Sequence, residues 1–188
     1  GLRNRFAEAK AKGDVKLARI YVSTTYAILS MIFTLVWIAF IIANQFIDWS
    51  KVLNVSESIR PDVTSLAVIV FTYFCISFVF RIITTILLAD QFPAKSSLID
   101  LFGQIIALII IIILIKTTEG SLIKLGFAFC ASPLAVLIAA NFIFFKGKYK
   151  QYSPSLSFVK FSYARDLFNL GVKFFIIQLA AIIQYQTA

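Results

Sequence analysis

The sequence predicts an all-α fold, a polytopic bundle of transmembrane helices, and three observations predict it. Sixty per cent of the 188 residues are hydrophobic and only 14% are charged, at a mean hydropathy of +0.90. One water-soluble core of this length cannot hide so much apolar surface. The apolar residues also fall in runs of about 20, the length a helix needs to cross a bilayer core of about 30 Å. Finally, the basic residues crowd into alternate connections between those runs. Strands of a barrel would alternate apolar and polar side chains, and none of the runs does so.

The elements follow in order. Residues 1–19 read as a cytoplasmic basic segment carrying Arg3, Arg5, Lys10, Lys12, Lys16 and Arg19. The chain starts on Gly1 without a signal-peptide pattern and ends at Ala188 in an apolar run, so it is expected to be a piece of a longer protein. Four spans, at about 20–47, 64–89, 97–115 and 122–145, make up residues 20–145. The run IIALIIIIILI in the third is β-branched enough for a strand, but lipid forces backbone hydrogen bonds inside the segment and favours helix. Residues 146–166 form the long basic connection, and 167–188 hold a fifth span. Trp49 is expected at an interface and Trp37 deeper, in packing. Pro133 lies inside the fourth span, where it frees a carbonyl and is expected to kink the helix.

The charges set an orientation. The segment before the first span, the turn DQFPAK and residues 146–166 hold twelve of the 18 basic residues. The other two connections hold Lys51, Arg60, Lys116 and Lys124. Basic connections stay cytoplasmic, which puts the N-terminus inside and points the fifth span outward. The net charge of +9 follows this topology. It therefore argues for attraction to membrane lipids with anionic headgroups and against a nucleic-acid partner. Residues 146–166 mix Tyr149, Tyr152, Phe158, Phe161 and Tyr163 with five basic residues, which suits either a piece lying at headgroup depth or a solvated loop.

Candidate chemistry is sparse. Histidine is absent, and with it the commonest metal ligand and general base. Cys75 and Cys130 sit in apolar runs and read as small buried hydrophobes. No metal site, cofactor or catalytic residue is expected. The sequon-like Asn54-Val55-Ser56 reads as chance.

The polar residues inside the spans carry more. Arg81 lies nine residues from Asp90, which marks the cytoplasmic boundary, so it sits roughly 13 Å deep. Tyr73, Ser77, Arg81 and Thr85 recur every four residues and predict one polar stripe, facing the bundle interior or a wet cavity. The next span opens with Asp100 and Gln104. Counting from the turn near residue 93 puts Gln104 level with Arg81 and Asp100 about one helical turn nearer the cytoplasm, within reach of the guanidinium. Two readings stand. The pair neutralises itself and holds the hairpin, or Arg81 lines a cavity and meets an anion. In the fifth span Lys173 and Gln184 share a face, and Lys173 either snorkels to the surface or adds a second cation. Phosphate oxygens match a guanidinium fork and accept an ammonium as a point charge.

Three stretches carry a family resemblance. GLRNRFAEAKAKGDVKLARIYVSTTY resembles the cytoplasmic loop between the second and third helices of O-antigen and capsule repeat-unit flippases. LLADQFPAKSSLIDLFGQ resembles the tight turn between the fourth and fifth. RDLFNLGVKFFIIQLAAIIQYQT resembles the entry to the seventh. These transporters belong to the multidrug/oligosaccharidyl-lipid/polysaccharide exporter superfamily, and the resemblance runs over essentially the whole chain. It implies that the five spans are helices three to seven of a two-lobe transporter in the bacterial inner membrane, with 146–166 the inter-lobe linker. It further implies translocation of an undecaprenyl-pyrophosphate-linked oligosaccharide by alternating access, with polysaccharide polymerase components as possible partners. Arg81 and Lys173 would hold the pyrophosphate, and Asp100, Gln104, Tyr73, Ser77 and Gln184 would complete the substrate-binding set.

Three other readings compete. A cation-coupled multidrug exporter of the same superfamily wants buried carboxylates, and only Asp100 lies well inside a span. A membrane-embedded polymerase or acyltransferase wants an activated nucleophile or a poised acid/base pair, and neither is evident. A purely structural assembly subunit needs no polar stripe.

Overall fold

The computed structural model describes residues 1–54, 56, 60–117 and 121–167. Among them the fold is all-helical, with no strand. In order, α1 spans Leu2–Ala11, α2 Val15–Asn44, α3 Trp49–Val52, α4 Arg60–Phe80, α5 Ile82–Ala89, α6 Pro93–Thr117 and α7 Leu122–Lys146. Three short 3₁₀ turns follow, at Lys150–Tyr152, Leu156–Phe158 and Phe161–Tyr163. Four helical stretches are long and apolar enough to cross a membrane: Val15–Asn44, Pro61–Ala89, Pro93–Thr117 and Leu122–Lys146. They mark a membrane-embedded protein and match the first four expected spans, with the first starting five residues earlier and ending three residues sooner than expected and the others extended by one to four residues at an end. The expected fifth span lies outside the described residues.

The N-terminal segment is more ordered than its charge suggests. Residues 2–11 form a helix that buries Leu2, Phe6 and Ala9. Those positions are three and four apart, so they share one face. Gly13, at φ +72°, makes the turn into α2, and the Asp14 carboxylate caps it by accepting from the Leu17 amide at 2.9 Å. This cap starts α2 at Val15, five residues before the expected span.

The four spans meet through different devices. Between α2 and α4 runs an aromatic ladder: Phe33 stacks on Phe78 at 4.8 Å and Phe40 on Phe71 at 3.8 Å. Trp37 packs on the same seam and donates to Thr72 Oγ1 at 2.9 Å, though it stays partly exposed. Trp49 Nε1 donates to Asn44 at the far end of α2. Helices α6 and α7 approach so closely that a Cβ on Gly103 would sit 2.8 Å from the Cα of Pro133. Small residues permit such close approach where lipid supplies no hydrophobic force between helices. Helix α7 runs from Leu122 to Lys146 without interruption at Pro133. Cys75 and Cys130 are both buried, as expected.

The α5–α6 turn is tight. Gln91 adopts the left-handed region at φ +60°, and the Phe92 amide reaches back to the Leu87 carbonyl at 2.9 Å. Pro93 then opens α6 at the position where its missing N–H costs nothing.

The connection after α7 does not lie free. Tyr149 and Tyr152 are buried rather than at headgroup depth, and Phe6 meets Tyr152 edge-on at 5.1 Å. Residues 153–160 strap across the first turns of α2. Arg19 Nε donates to the Ser153 carbonyl at 2.9 Å, and its guanidinium covers the Phe158 ring at 4.3 Å. The Ser155 amide donates to Ser23 Oγ at 3.1 Å, and the Lys160 amide to Thr24 Oγ1 at 3.0 Å. A solvated loop was one expectation here. Backbone amides finding buried hydroxyls on α2 are why it is not met.

Candidate functional site

The chain breaks regular helix at Arg81. Its amide still donates to the Ser77 carbonyl at 2.9 Å, closing α4. One residue later the ladder shifts: the Thr84 amide bonds to the Arg81 carbonyl at 3.1 Å, three residues back instead of four. Thr84 Oγ1 donates to the same oxygen at 2.7 Å. The guanidinium reaches across to α6, where Nη2 lies 3.1 Å from Asp100 Oδ1. The pair inferred by counting from the turn is therefore formed. Both side chains are about half exposed, at 49% and 47%. They occupy an open flank of the described bundle.

The other expected site residues divide. Gln104 is exposed on α6, four residues beyond Asp100 and so on the same face. Ser77 is buried, and its hydroxyl donates to the Phe74 carbonyl at 3.0 Å. Tyr73 is half-buried and lines a cavity of about 380 Å³ between α4 and α7. Thr85 is half-buried too. The polar stripe is not uniform: Ser77 is buried while Arg81, one turn further along, is half exposed. Lys173 and Gln184 lie outside the described residues. Arg81 and Asp100 line neither that cavity nor three others, of about 340, 380 and 710 Å³.

Two further polar constellations escaped the reading of the sequence. Asn141, on α7, is 6% exposed. Its Nδ2 donates to the Phe80 carbonyl at 2.9 Å and to the Leu137 carbonyl at 2.8 Å. Its Oδ1 accepts from the Tyr26 hydroxyl of α2 at 2.5 Å. Asparagine in an apolar run was the available signal, since a polar group at such depth must find partners.

The second is Asp90, whose side chain is 8% exposed at the basic end. It pairs with Lys10 of α1, accepts from Lys148 Nζ at 2.7 Å and from the Tyr149 hydroxyl at 2.8 Å. Burial pushes the Tyr149 hydroxyl up to about 12, so it remains a donor throughout the neutral range. Burial, then the neighbouring Lys148 cation, pulls Lys10 below the usual lysine range. Lys148 also lies over the Phe92 ring at 3.5 Å. Asp90 thereby ties α1, the α5–α6 turn and the start of the connection after α7 into one unit.

No group of three or more metal-ligating side chains occurs among the described residues. What the Arg81 site can do chemically is present a forked cation, partly offset by one carboxylate, on a membrane-crossing helix. Comparison with known families, characterised proteins and solved structures gives no match.

Proposed function

We propose that the chain is part of a flippase that moves an undecaprenyl-pyrophosphate-linked oligosaccharide across the bacterial inner membrane for surface polysaccharide assembly. The observation that carries the reading is the half-exposed guanidinium of Arg81 at a helix break inside an apolar span. A cation in that setting is costly unless it faces partners or water. Asp100 offsets only part of its donor capacity, because a guanidinium carries five N–H groups and one distance within 4 Å joins the two side chains. The free prongs suit phosphate oxygens. In this reading the flank bearing Arg81, Asp100 and Gln104 faces the second lobe of the full-length protein, and Lys173 of the fifth span approaches it from there. The basic end, with Asp90 and the strap, is cytoplasmic. Ser77 drops out of the contact set because its hydroxyl is committed inside the bundle.

The chain acts as a carrier and no catalysis is assigned to it. The competing exporter reading needs a carboxylate free to load a proton or sodium ion, and Asp100 is already engaged by Arg81. Arg81→Ala in the full-length protein tests the proposal. Surface polysaccharide should fall by about tenfold or more, while the amount of protein in the membrane stays unchanged. Normal polysaccharide from that variant rejects the assignment.

A further inference from the structure

At the junction of α4 and α5, one backbone carbonyl has been released from the helix ladder. In regular helix the Phe80 carbonyl would accept from the Thr84 amide. Here that amide has moved to Arg81, so the half-buried Phe80 oxygen loses its usual ladder donor. An unmet carbonyl there carries a penalty that normally draws the ladder back into register. Asn141 removes the penalty from outside, donating through Nδ2 at 2.9 Å. Its second amide hydrogen goes to Leu137 of its own helix, and its oxygen is held by Tyr26. All three of these bonds come from one side chain, and they join α2, α4 and α7.

The consequence is geometric. Arg81 is fixed to the end of α4, since its amide still belongs to that ladder. Asp100 is fixed to α6, which the tight turn at Gln91 couples to α5. The two partners therefore sit on opposite sides of the break. We propose that Asn141 is a positioning residue: its amide holds the ladder open after Phe80 and sets the angle at which α4, carrying Arg81, meets the α5–α6 unit, carrying Asp100. Tyr26 serves the same role one step removed, by fixing which way the amide faces. The value of this for export rests on the flippase reading, whereas the geometry does not.

The test uses the full-length protein in lipid nanodiscs, with Cys75 and Cys130 replaced by alanine. Spin labels replace Ser65 on α4 and Leu101 on α6, both exposed. Pulsed electron paramagnetic resonance then reads the distance distribution between them. Asn141→Leu should shift the distribution or widen it about twofold, because the ladder closes and α5 swings. Tyr26→Phe keeps the amide and removes only its anchor, so it should widen the distribution less. This milder variant decides the matter if Asn141→Leu fails to insert. A distribution unchanged in every variant that inserts overturns the proposal. Normal export from Arg81→Ala would sink the flippase reading and leave the distance change standing, so the two failures are distinguishable.

Discussion

The basic end of the bundle and its far end are built on different principles. At the basic end, Phe6, Ile83, Ile86, Leu87 and Tyr149 are almost wholly sequestered, where α1, α5 and the start of the connection after α7 come together. At the far end, Leu35 is 65% and Ile115 71% exposed. Water explains the contrast. Groups near an aqueous face gain from leaving water, so apolar side chains converge there and a buried carboxylate can recruit two lysines and a tyrosine. Side chains surrounded by acyl chains gain little by leaving lipid. That half is joined instead by a ladder of phenylalanine rings.

The comparison is broken most severely by removing a large side chain from the packed end. Phe6→Ala should destabilise the protein by about 4 kcal/mol, since the ring is fully buried against Tyr152. The matched change at the far end, Leu35→Ala, should cost about 0.5 kcal/mol or less, because lipid solvates either side chain. Thermal unfolding in nanodiscs reads both, and equal losses would erase the distinction between the ends.

Next in size is Asp90→Ala. It strands Lys10, Lys148 and Tyr149 around an empty place, and a loss of about 2 kcal/mol is expected once the partial exposure of both lysines is discounted. Protease cleavage within 146–166 should quicken in the same variant, since Lys148 and Tyr149 lose their tie to the turn. Unchanged cleavage would show that the strap is held by Arg19, Ser23 and Thr24 alone.

The smallest effect sharpens the picture. Tyr149→Phe removes one hydroxyl donor from Asp90 and should cost about 1 kcal/mol. Its effect should stay constant from pH 6 to pH 9, because the tyrosine titrates well above that window, at about 12. A marked pH dependence there would mean that another group controls the cluster.

Much of the fold was legible in the residues because bilayer thickness dictates span length, and apolar runs report it directly. The Arg81–Asp100 pair was legible for a similar reason: a tight turn makes two helices antiparallel, so counting from it aligns depths. The start of α2 was mistaken by five residues because Arg19 and Lys16 read as loop charges, while the Gly13-Asp14 turn and cap were passed over. The helix break at Arg81 could not be counted out, since it depends on Asn141, which meets the Phe80 carbonyl from 61 positions away. The strap was missed because its bonds are made by backbone amides of residues 155 and 160, which carry no sequence signature. Spacing placed Ser77 and Arg81 on one helix face but could not say that the first would be buried and the second half exposed.

The most direct test concerns the charge itself, separated from the pair it forms. Arg81→Met combined with Asp100→Leu removes both members and leaves no buried orphan. In the full-length protein this double variant should insert at the wild-type level and export less than about a tenth of the wild-type polysaccharide. Full export from it would show that the guanidinium and carboxylate serve only each other, and would contradict a cation kept to receive an anionic cargo.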